Sequence, residues 1–451
     1  MQRDHRVNRR QFVRTATAGA ALFTIVPRSA LASADAPGAN DKLNIAGVGV
    51  GGQGWGVLQQ FRNENIVALC DVDDQRAGAA FEALPDARRF RDFRKMFDEM
   101  ESQIDAVVVG TPDHTHAVIC MEAMKRKKHV FCEKPLAHSI HEIRRLMDTA
   151  RESGVVTQLG NQGHSSQSIR TFCEWIWDGA IGQVQEVHAC CDAFRDVYSQ
   201  IRNLPKRDER PEVPGHLDWD LWLGPAAHRA YHPMYVPWNW RGWTSFGTGC
   251  IGDWICHVVD PVFWALDLGS PESIQAEADG YDPVEHADVY PPGTAITFEF
   301  AAKGDRGPVK LVWFDGDRRP PHPKDLETDR NPPGIGAVVM GDQGTITYGS
   351  HGAGGVRIVP EAKMQEYQTP EPSLPRVPGH YADWINAIRE NRPAGSDFSY
   401  GGPLTELGLL GMIAVRMAGT KLVWDGPNMR FTNNDEANHW VSPPVRSGWE
   451  I

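Results

Sequence analysis

Beyond its first residues the chain has no apolar run near the roughly 18 residues that a membrane-spanning helix needs, so no membrane span is expected. It also lacks any Cys-x-x-Cys pair. Its eight cysteines, from Cys70 to Cys256, are scattered, mostly in apolar stretches where a free thiol packs as a small hydrophobe. Zinc-site spacing is therefore missing, no metal site is expected, and no disulfide is required. Positive charge is scarce: 46 Lys and Arg stand against 58 Asp and Glu, for a formal net charge of −12, and six of the arginines lie within residues 1–34. An acidic remainder without a basic cluster excludes a nucleic-acid partner. What the chain does hold is length for two domains and an unusual stock of 15 tryptophans in 451 residues.

The stretch around which the rest is organised runs from Gly47 to Gly54, GVGVGGQG. The apolar run LNIA before it reads as a buried strand, and WGVLQQF after it as a helix. Gly47, Gly49 and Gly52 thus fit a dinucleotide-binding turn, with Gly51 in the same loop. Gly47 would permit the tight turn, Gly49 would admit a pyrophosphate against the backbone, and Gly52 would let helix and strand pack closely. The following helix would then face the phosphates with free amide donors. A second strand, NIVALC, ends at Asp71, whose carboxylate would accept hydrogen bonds from the adenosine ribose and repel a 2′-phosphate. The expected cofactor is NAD.

From 72 to 160 helix and strand keep alternating: a helix over 75–84, a charged one over 93–100, the strand DAVVVGTP, a helix near 116–127, the strand HVFCEKP, a helix over 139–153 and a last strand over 155–158. That pattern is a doubly wound parallel sheet, a Rossmann domain over 41–160, whose ligands sit beyond the carboxyl ends of the strands. Two motifs occupy such ends, Thr111-Pro112-Asp113-His114-Thr115-His116 and Glu133-Lys134-Pro135.

Farther on, Gly252-Asp253-Trp254-Ile255-Cys256-His257 places Asp253 and His257 four residues apart, on one helix face. An imidazole with a pKa near 6.5 can take a hydroxyl proton around neutral pH, so His257 is the candidate general acid/base. Asp253 would orient it or bind a neighbouring hydroxyl, and an acidic neighbour would raise its pKa. Lys134 would polarise the reacting oxygen. Asp260 reads as a structural cap.

The order GxGxxG, TPxxxH, EKP, GDxxxH resembles that of the Gfo/Idh/MocA (glucose-fructose oxidoreductase and inositol dehydrogenase) family over about 43–424. The resemblance implies coupling of NAD(P) to oxidation or reduction of sugars and cyclitols. It further implies that Thr111, Pro112 and His116 line the nicotinamide half, that Glu133 holds its ribose or carboxamide side, that Lys134 touches ribose and substrate, and that Pro135 follows a cis peptide. An open sheet face that mediates homo-oligomers is permitted by the same resemblance.

The second half, 161–425, begins with GNQGHSSQSIR, a polar loop at the junction; Ser165 or Ser166 is placed to cap the next helix, and His164 is a candidate for the pocket wall. On the strand over 183–194, His188 and Asp192 share a face and suggest a structural polar contact. Residues 196–218 read as a surface excursion. Of the aromatic cluster that follows, Trp219 and Trp222 are expected to pin the loop, whereas Trp238, Trp240 and Trp243, with Arg241 among them, lead into the His257 motif and are candidate substrate contacts. From 272 on, alternating segments predict an open, largely antiparallel sheet backed by helices over 380–388 and 404–417, an α+β domain. The tail, 426–451, reads as an ordered arm.

Asn8-Arg9-Arg10-Gln11-Phe12-Val13, the modest apolar run AGAALFTIV and the small residues Ala30 to Ala34 read as a twin-arginine signal over 1–34, handled by the twin-arginine export machinery and implying a periplasmic protein. That route carries folded proteins, which suits a tightly held NAD. Three functional readings stand: an NAD-dependent oxidoreductase acting on a ring hydroxyl of a sugar or glycoside; a redox-neutral enzyme that oxidises, eliminates and re-reduces; and a sugar-binding protein with a vestigial site. A divalent metal among His164, His188, Asp253 and His257 is left open, though no tight ligand spacing announces one.

Overall fold

The computed structural model describes residues 42–451, so the proposed export signal lies outside the described residues. Six strands, β1 (Asn44–Val48), β2 (Asn65–Cys70), β3 (Arg88–Phe90), β4 (Ala106–Val109), β5 (His129–Cys132) and β6 (Thr157–Leu159), form a parallel sheet in the order β3-β2-β1-β4-β5-β6. Register explains how distant motifs meet. Val48 pairs with Cys70 and with Val109, and Val109 pairs with Cys132, so β1, β2, β4 and β5 end on one line. The glycine loop, Asp71, Thr111 and Glu133 leave the sheet along that line. Helices close both faces because these short strands are apolar on both sides.

Helix boundaries follow local chemistry. Ser139 and Glu142 form a reciprocal capping box at the start of the helix Ile140–Ser153, and Gly154 ends it in the left-handed region at φ 69°. The helix Asp113–Lys125 begins three residues earlier than its apolar pattern suggests, because Pro112 in extended conformation already launches it.

The second sheet has nine strands: β7 (Val184–Cys191), β8 (Ser273–Ala278), β9 (Thr294–Phe300), β10 (Val309–Asp315), β11 (Ile335–Gly341), β12 (Thr345–Gly349), β13 (Gly354–Val359), β14 (Lys421–Asp425) and β15 (Arg430–Phe431), ordered β13-β12-β11-β7-β10-β9-β8-β14-β15. All its pairings are antiparallel except β7 with β10. The helix Gly249–Val258 carries the Asp253/His257 motif and packs with the long helix Phe398–Arg416. That long helix is fastened to the nucleotide domain by Arg144, whose guanidinium grips Glu406 through two hydrogen bonds of 2.6 and 2.8 Å.

The chain also returns to its first half. On the helix His380–Glu390, Trp384 is fully buried and meets Phe61 edge-on at 5.2 Å and Phe131 at 5.7 Å, completing the apolar layer on one face of the parallel sheet. The tail crosses back as well: Val441 O accepts from His141 N at 3.0 Å. Among the described residues no helix is long and apolar enough to cross a membrane.

Candidate active site

A cleft of about 330 Å³ runs along the carboxyl edge of the parallel sheet and on beneath the 249–258 helix. Its floor is the glycine loop. Gly49 sits at φ +75°, and a Cβ there would lie 2.6 Å from the Thr111 backbone nitrogen. The tightest approach is at Gly54, where a Cβ would fall 1.8 Å from Gly49 O. The glycines therefore divide the work differently from the expectation: Gly49 makes the turn, Gly54 permits helix–strand packing, and Gly47 lies below against Leu58 and Val50, off the cleft wall. Gly52, at φ +55°, is crowded by the Arg76 guanidinium, while Gly49 and Gly51 line the cleft.

Asp71 stands beside this loop. Its Oδ2 accepts from Val50 N at 2.9 Å and Gly51 N at 3.1 Å, and its Oδ1 from Asp73 N at 3.0 Å. Burial pushes its pKa up to about 6, against the pull of those amides. Thr111 and Pro112 also line the cleft, and Thr111 Oγ1 is buried there without a partner. An open glycine turn, a carboxylate at the end of β2 and an orphaned hydroxyl at the end of β4 suit a dinucleotide laid across the strand ends.

His116, expected beside the nicotinamide, lies elsewhere. It does not face the cleft: its ring is wedged between Pro135 O, 2.7 Å from Nδ1, and Thr111 O, 2.8 Å from Nε2. It braces the two strand-end motifs against each other, and burial lowers its pKa. The Lys134-Pro135 peptide is cis.

At the inner end Lys134 Nζ donates to Asp253 Oδ1 at 2.6 Å. The second oxygen of Asp253 accepts from Tyr198 Oη and lies 3.4 Å from Arg241 Nε. Tyr198 Oη in turn accepts from Trp254 Nε1 at 2.8 Å. Burial opposes the Asp253 charge, but Lys134 and Arg241 outweigh it and hold the carboxyl well below its usual range. Burial likewise opposes the Lys134 charge, and Asp253 more than restores it, so its pKa is raised. The pair is thus an ammonium and a carboxylate. Asp113, whose Oδ2 accepts from Thr248 N and Oγ1, is pushed up to about 7 by burial and then by Asp253. Glu133 accepts from Gln162 Nε2 at 2.9 Å, and burial raises it to about 7.

His257 lines the same cleft, with no side-chain hydrogen bond to Asp253, whose oxygens are taken by Lys134, Tyr198 and Arg241. Its Nδ1 is buried and unpartnered. Contrary to the expected rise, its pKa falls well below the ordinary value: burial dominates, Lys134 and His351 add to it, and the Asp253 charge only partly compensates. The His351 ring stacks on His257 with centroids 4.2 Å apart and planes 20° apart. His351 comes from the turn between β12 and β13 at φ 58°, where its amide donates to His257 O at 2.8 Å.

The remaining candidates divide. Trp238, 44 % exposed, and Trp240 sandwich the Arg241 guanidinium at 4.3 and 4.2 Å, and all three line the cleft. Trp243 does not. It is fully buried in an aromatic core, 4.8 Å from Tyr235, because the 3₁₀ turn before it points it inward. His164 also turns away. In the 3₁₀ turn Gln162–Ser165, residues two apart point in different directions, so Gln162 takes the cleft while His164 Nδ1 donates to Asp260 at 3.0 Å and its ring stacks on Trp264. Asp260 gathers Asn161 and Tyr400 too; it is a buried knot and not the expected cap, since it lies inside the helix Asp260–Ala265 and its carboxylate takes no amide of that helix. Ser166 caps the next helix. His188 bonds Glu186 and Asp192 pairs with Arg319, so the expected contact between them is absent. Among the described residues no group of three His, Cys, Asp or Glu is placed to hold a metal. All eight cysteines are buried and free.

Residues 42–161 match the model of the Gfo/Idh/MocA oxidoreductase family, NAD-binding Rossmann fold, and residues 198–306 match that family's C-terminal alpha/beta domain. The chain belongs to the Gfo/Idh/MocA oxidoreductase family. Its first domain is accordingly the family's NAD-binding domain. Inositol 2-dehydrogenase of Rubrobacter xylanophilus is 33% identical over 151 residues, 32% of this chain and 42% of that protein. The 2,7-anhydro-N-acetylneuraminate hydratase of Escherichia coli is 33% identical over 114 residues, 25% of this chain and 30% of that protein. The chain spans less than half the length of these curated relatives. Among solved structures, the WlbA dehydrogenase of Bordetella pertussis, in complex with NADH and UDP-GlcNAcA, shares the fold at a TM-score of 0.56 and 17% identity, over 85% of this chain and 99% of that one.

Proposed function

We propose that this family member is an exported, NAD-dependent oxidoreductase acting on a ring hydroxyl of a sugar or glycoside. The observation that carries the reading is the convergence, in the cleft that holds the glycine loop, of a protonated Lys134 locked to Asp253 at 2.6 Å and a neutral, unpartnered His257. When bound, the nicotinamide supplies the hydride acceptor. The chain's own residues supply the rest. Lys134 donates a hydrogen bond to the carbinol oxygen and stabilises alkoxide character as the C–H bond weakens. His257 accepts the hydroxyl proton through a ring nitrogen left free of protein partners. Asp253 keeps Lys134 charged and aimed, while Tyr198 and Arg241 fix the carboxylate. Asp71 offers lone pairs to the adenosine ribose hydroxyls, and Glu133 with Gln162 to the nicotinamide side. Trp238 and Phe194, both half-exposed and meeting edge-on at 6.4 Å, give a sugar ring an apolar rim to stack on. Relatives named for inositol and for levoglucosan support a polyhydroxylated ring as substrate. The twin-arginine pattern of residues 1–34 supports export. Mass spectrometry of the nucleotide freed from purified, denatured protein should find NAD; no bound nicotinamide, together with no binding of added NAD, sinks the proposal.

His351 favours a second reading. Elimination beside a carbonyl needs a base for the C–H proton and an acid for the departing oxygen, and two stacked imidazoles share this cleft. In that sequence a ring hydroxyl is oxidised to a ketone, the acidified neighbouring C–H loses its proton, the glycosidic oxygen leaves with its bonding pair and gains a proton, water adds, and hydride returns to the carbonyl carbon. The resemblance to a protein named a hydratase supports it. Turnover of a nitrophenyl glycoside without added NAD and without net absorbance at 340 nm selects this reading. Turnover that demands added NAD and yields stoichiometric 340 nm absorbance selects the first.

A further inference from the structure

The half of the cleft beyond Asp71 is walled by residues that the nucleotide fold does not supply. Leu217, Leu221 and Trp222, from the excursion after β7, and Trp449, from the carboxyl-terminal segment, face Val72, Phe93 and Thr115 across it. The excursion is hydrogen-bonded to the end of β2. Asp73 and Leu217 form an antiparallel β-bridge, Asp218 N donates to Val72 O at 2.8 Å, and Asp74 N donates to His216 O at 3.0 Å. The His216 ring adds a contact of 2.9 Å to Asp73 Oδ1. Its other end is tied to the helix after β4, where buried His114 donates through Nε2 to Trp222 O at 3.0 Å.

The carboxyl-terminal segment then fastens the outside. Arg446 N donates to Pro225 O and Arg446 Nη2 to Asp220 O, each at 2.9 Å. Trp449 is 8 % exposed, lies 6.1 Å from Phe93, and is covered by the Arg94 guanidinium at 4.4 Å. Two segments distant in sequence thus meet over the same part of the cleft, the part in which a dinucleotide with its ribose at Asp71 would hold its adenine.

We propose that residues 216–224, latched to the end of β2 and backed by Arg446–Trp449, form a strap over the adenosine half of the dinucleotide, so that the nucleotide enters and leaves only when the strap detaches. This rests on the nucleotide reading of the cleft and adds to it a kinetic property. Enclosure by hydrogen-bonded backbone makes release wait on a local opening, which is rarer than side-chain motion. A nucleotide held through many turnovers must be restored within the site, by a second substrate or by the same one.

The test is the release rate of NADH from loaded protein mixed with excess NAD, followed by nicotinamide fluorescence. Wild type should release over minutes. The double variant Arg446→Ala/Trp449→Ala should release at least roughly tenfold faster, with an unchanged circular dichroism spectrum. Because bridged antiparallel residues lie within disulfide reach and the native thiols are all buried, Asp73→Cys/Leu217→Cys can be oxidised selectively. Oxidised after loading, it should carry its nucleotide through gel filtration; emptied and then oxidised, it should take up none until a reductant is added. Release from wild type within a second, unchanged by either variant or by oxidation, overturns the strap and leaves the proposed function intact. No NAD or NADH binding by wild type overturns both.

Discussion

Replacing Lys134 by alanine probes both the electrostatics and the chemistry of the cleft. At 2.6 Å the Lys134–Asp253 attraction is about 6 kcal/mol at an effective dielectric near 20, before desolvation is charged against it. Breaking a buried pair costs roughly 3–5 kcal/mol when the surviving charge is stranded. Here Arg241 remains 3.4 Å from the carboxylate, so the stability loss should fall at or below the lower end of that range. The kinetic loss should be larger: without a donor to the reacting oxygen, kcat/KM should drop by about 10²–10³. A second signature separates chemistry from misfolding. Lys134 is one cause of the depressed His257 pKa, so removing its charge lets that pKa rise. The acid limb of kcat/KM, which tracks protonation of the base, should lie below pH 6.5 in wild type and move to higher pH in the variant. The assay is steady-state kinetics over pH 5–9 with a sugar that wild type oxidises, alongside thermal melts. Wild-type kcat/KM in Lys134→Ala, or an acid limb that moves down, refutes the reasoning.

Trp238→Ala should raise KM by roughly fivefold to tenfold, about 1 kcal/mol of lost stacking, with kcat within a factor of two, since the indole is 44 % exposed at the rim and Trp240 still covers the Arg241 guanidinium at 4.2 Å; an unchanged KM refutes the rim. His114 is buried with its pKa lowered to about 3, so the folded state binds fewer protons than the unfolded state between pH 6.5 and that value. Stability from this site is therefore present above pH 6.5 and lost as pH falls: relative to His114→Gln, wild type should lose about 1.4 kcal/mol per unit between pH 6.5 and 4, measured by urea unfolding. Gly54→Ala forces a Cβ against Gly49 O and should cost roughly 3 kcal/mol and abolish NAD binding, read by melting temperature and nucleotide titration.

The parallel sheet was legible because each of its signals is local: a strand, a turn residue and a helix start within a dozen positions. Asp71, Thr111, Glu133 and Lys134 could be placed near one another because parallel strands in register end together. Asp253 and His257 carry their own helical spacing. What escaped was contributed across long loops. Tyr198 reaches Asp253 from 55 residues away, out of a segment whose prolines and charges read as surface. His351 reaches His257 from a hairpin turn, in a left-handed conformation that only the folded turn dictates. Direction was the other blind spot. His116, His164 and Trp243 lie in the right neighbourhoods, yet each points away from the cleft, because one step along a helical turn swings a side chain to another face. Trp222 was expected to pin a loop; it does, stacking on Trp219 at 4.7 Å, and it also walls the cleft.

The reaction proposed for this cleft is hydride transfer from a ring carbon of a sugar to bound NAD. Its most direct test uses sugars and glycosides deuterated at single ring carbons, incubated with the purified protein for one turnover, followed by mass spectrometry of the extracted nicotinamide. One labelled position should pass its deuterium to the nicotinamide, raising the mass of the reduced nucleotide by one unit, and Lys134→Ala should suppress that transfer. Conversion of the sugar with no deuterium in the nicotinamide from any ring position contradicts the account.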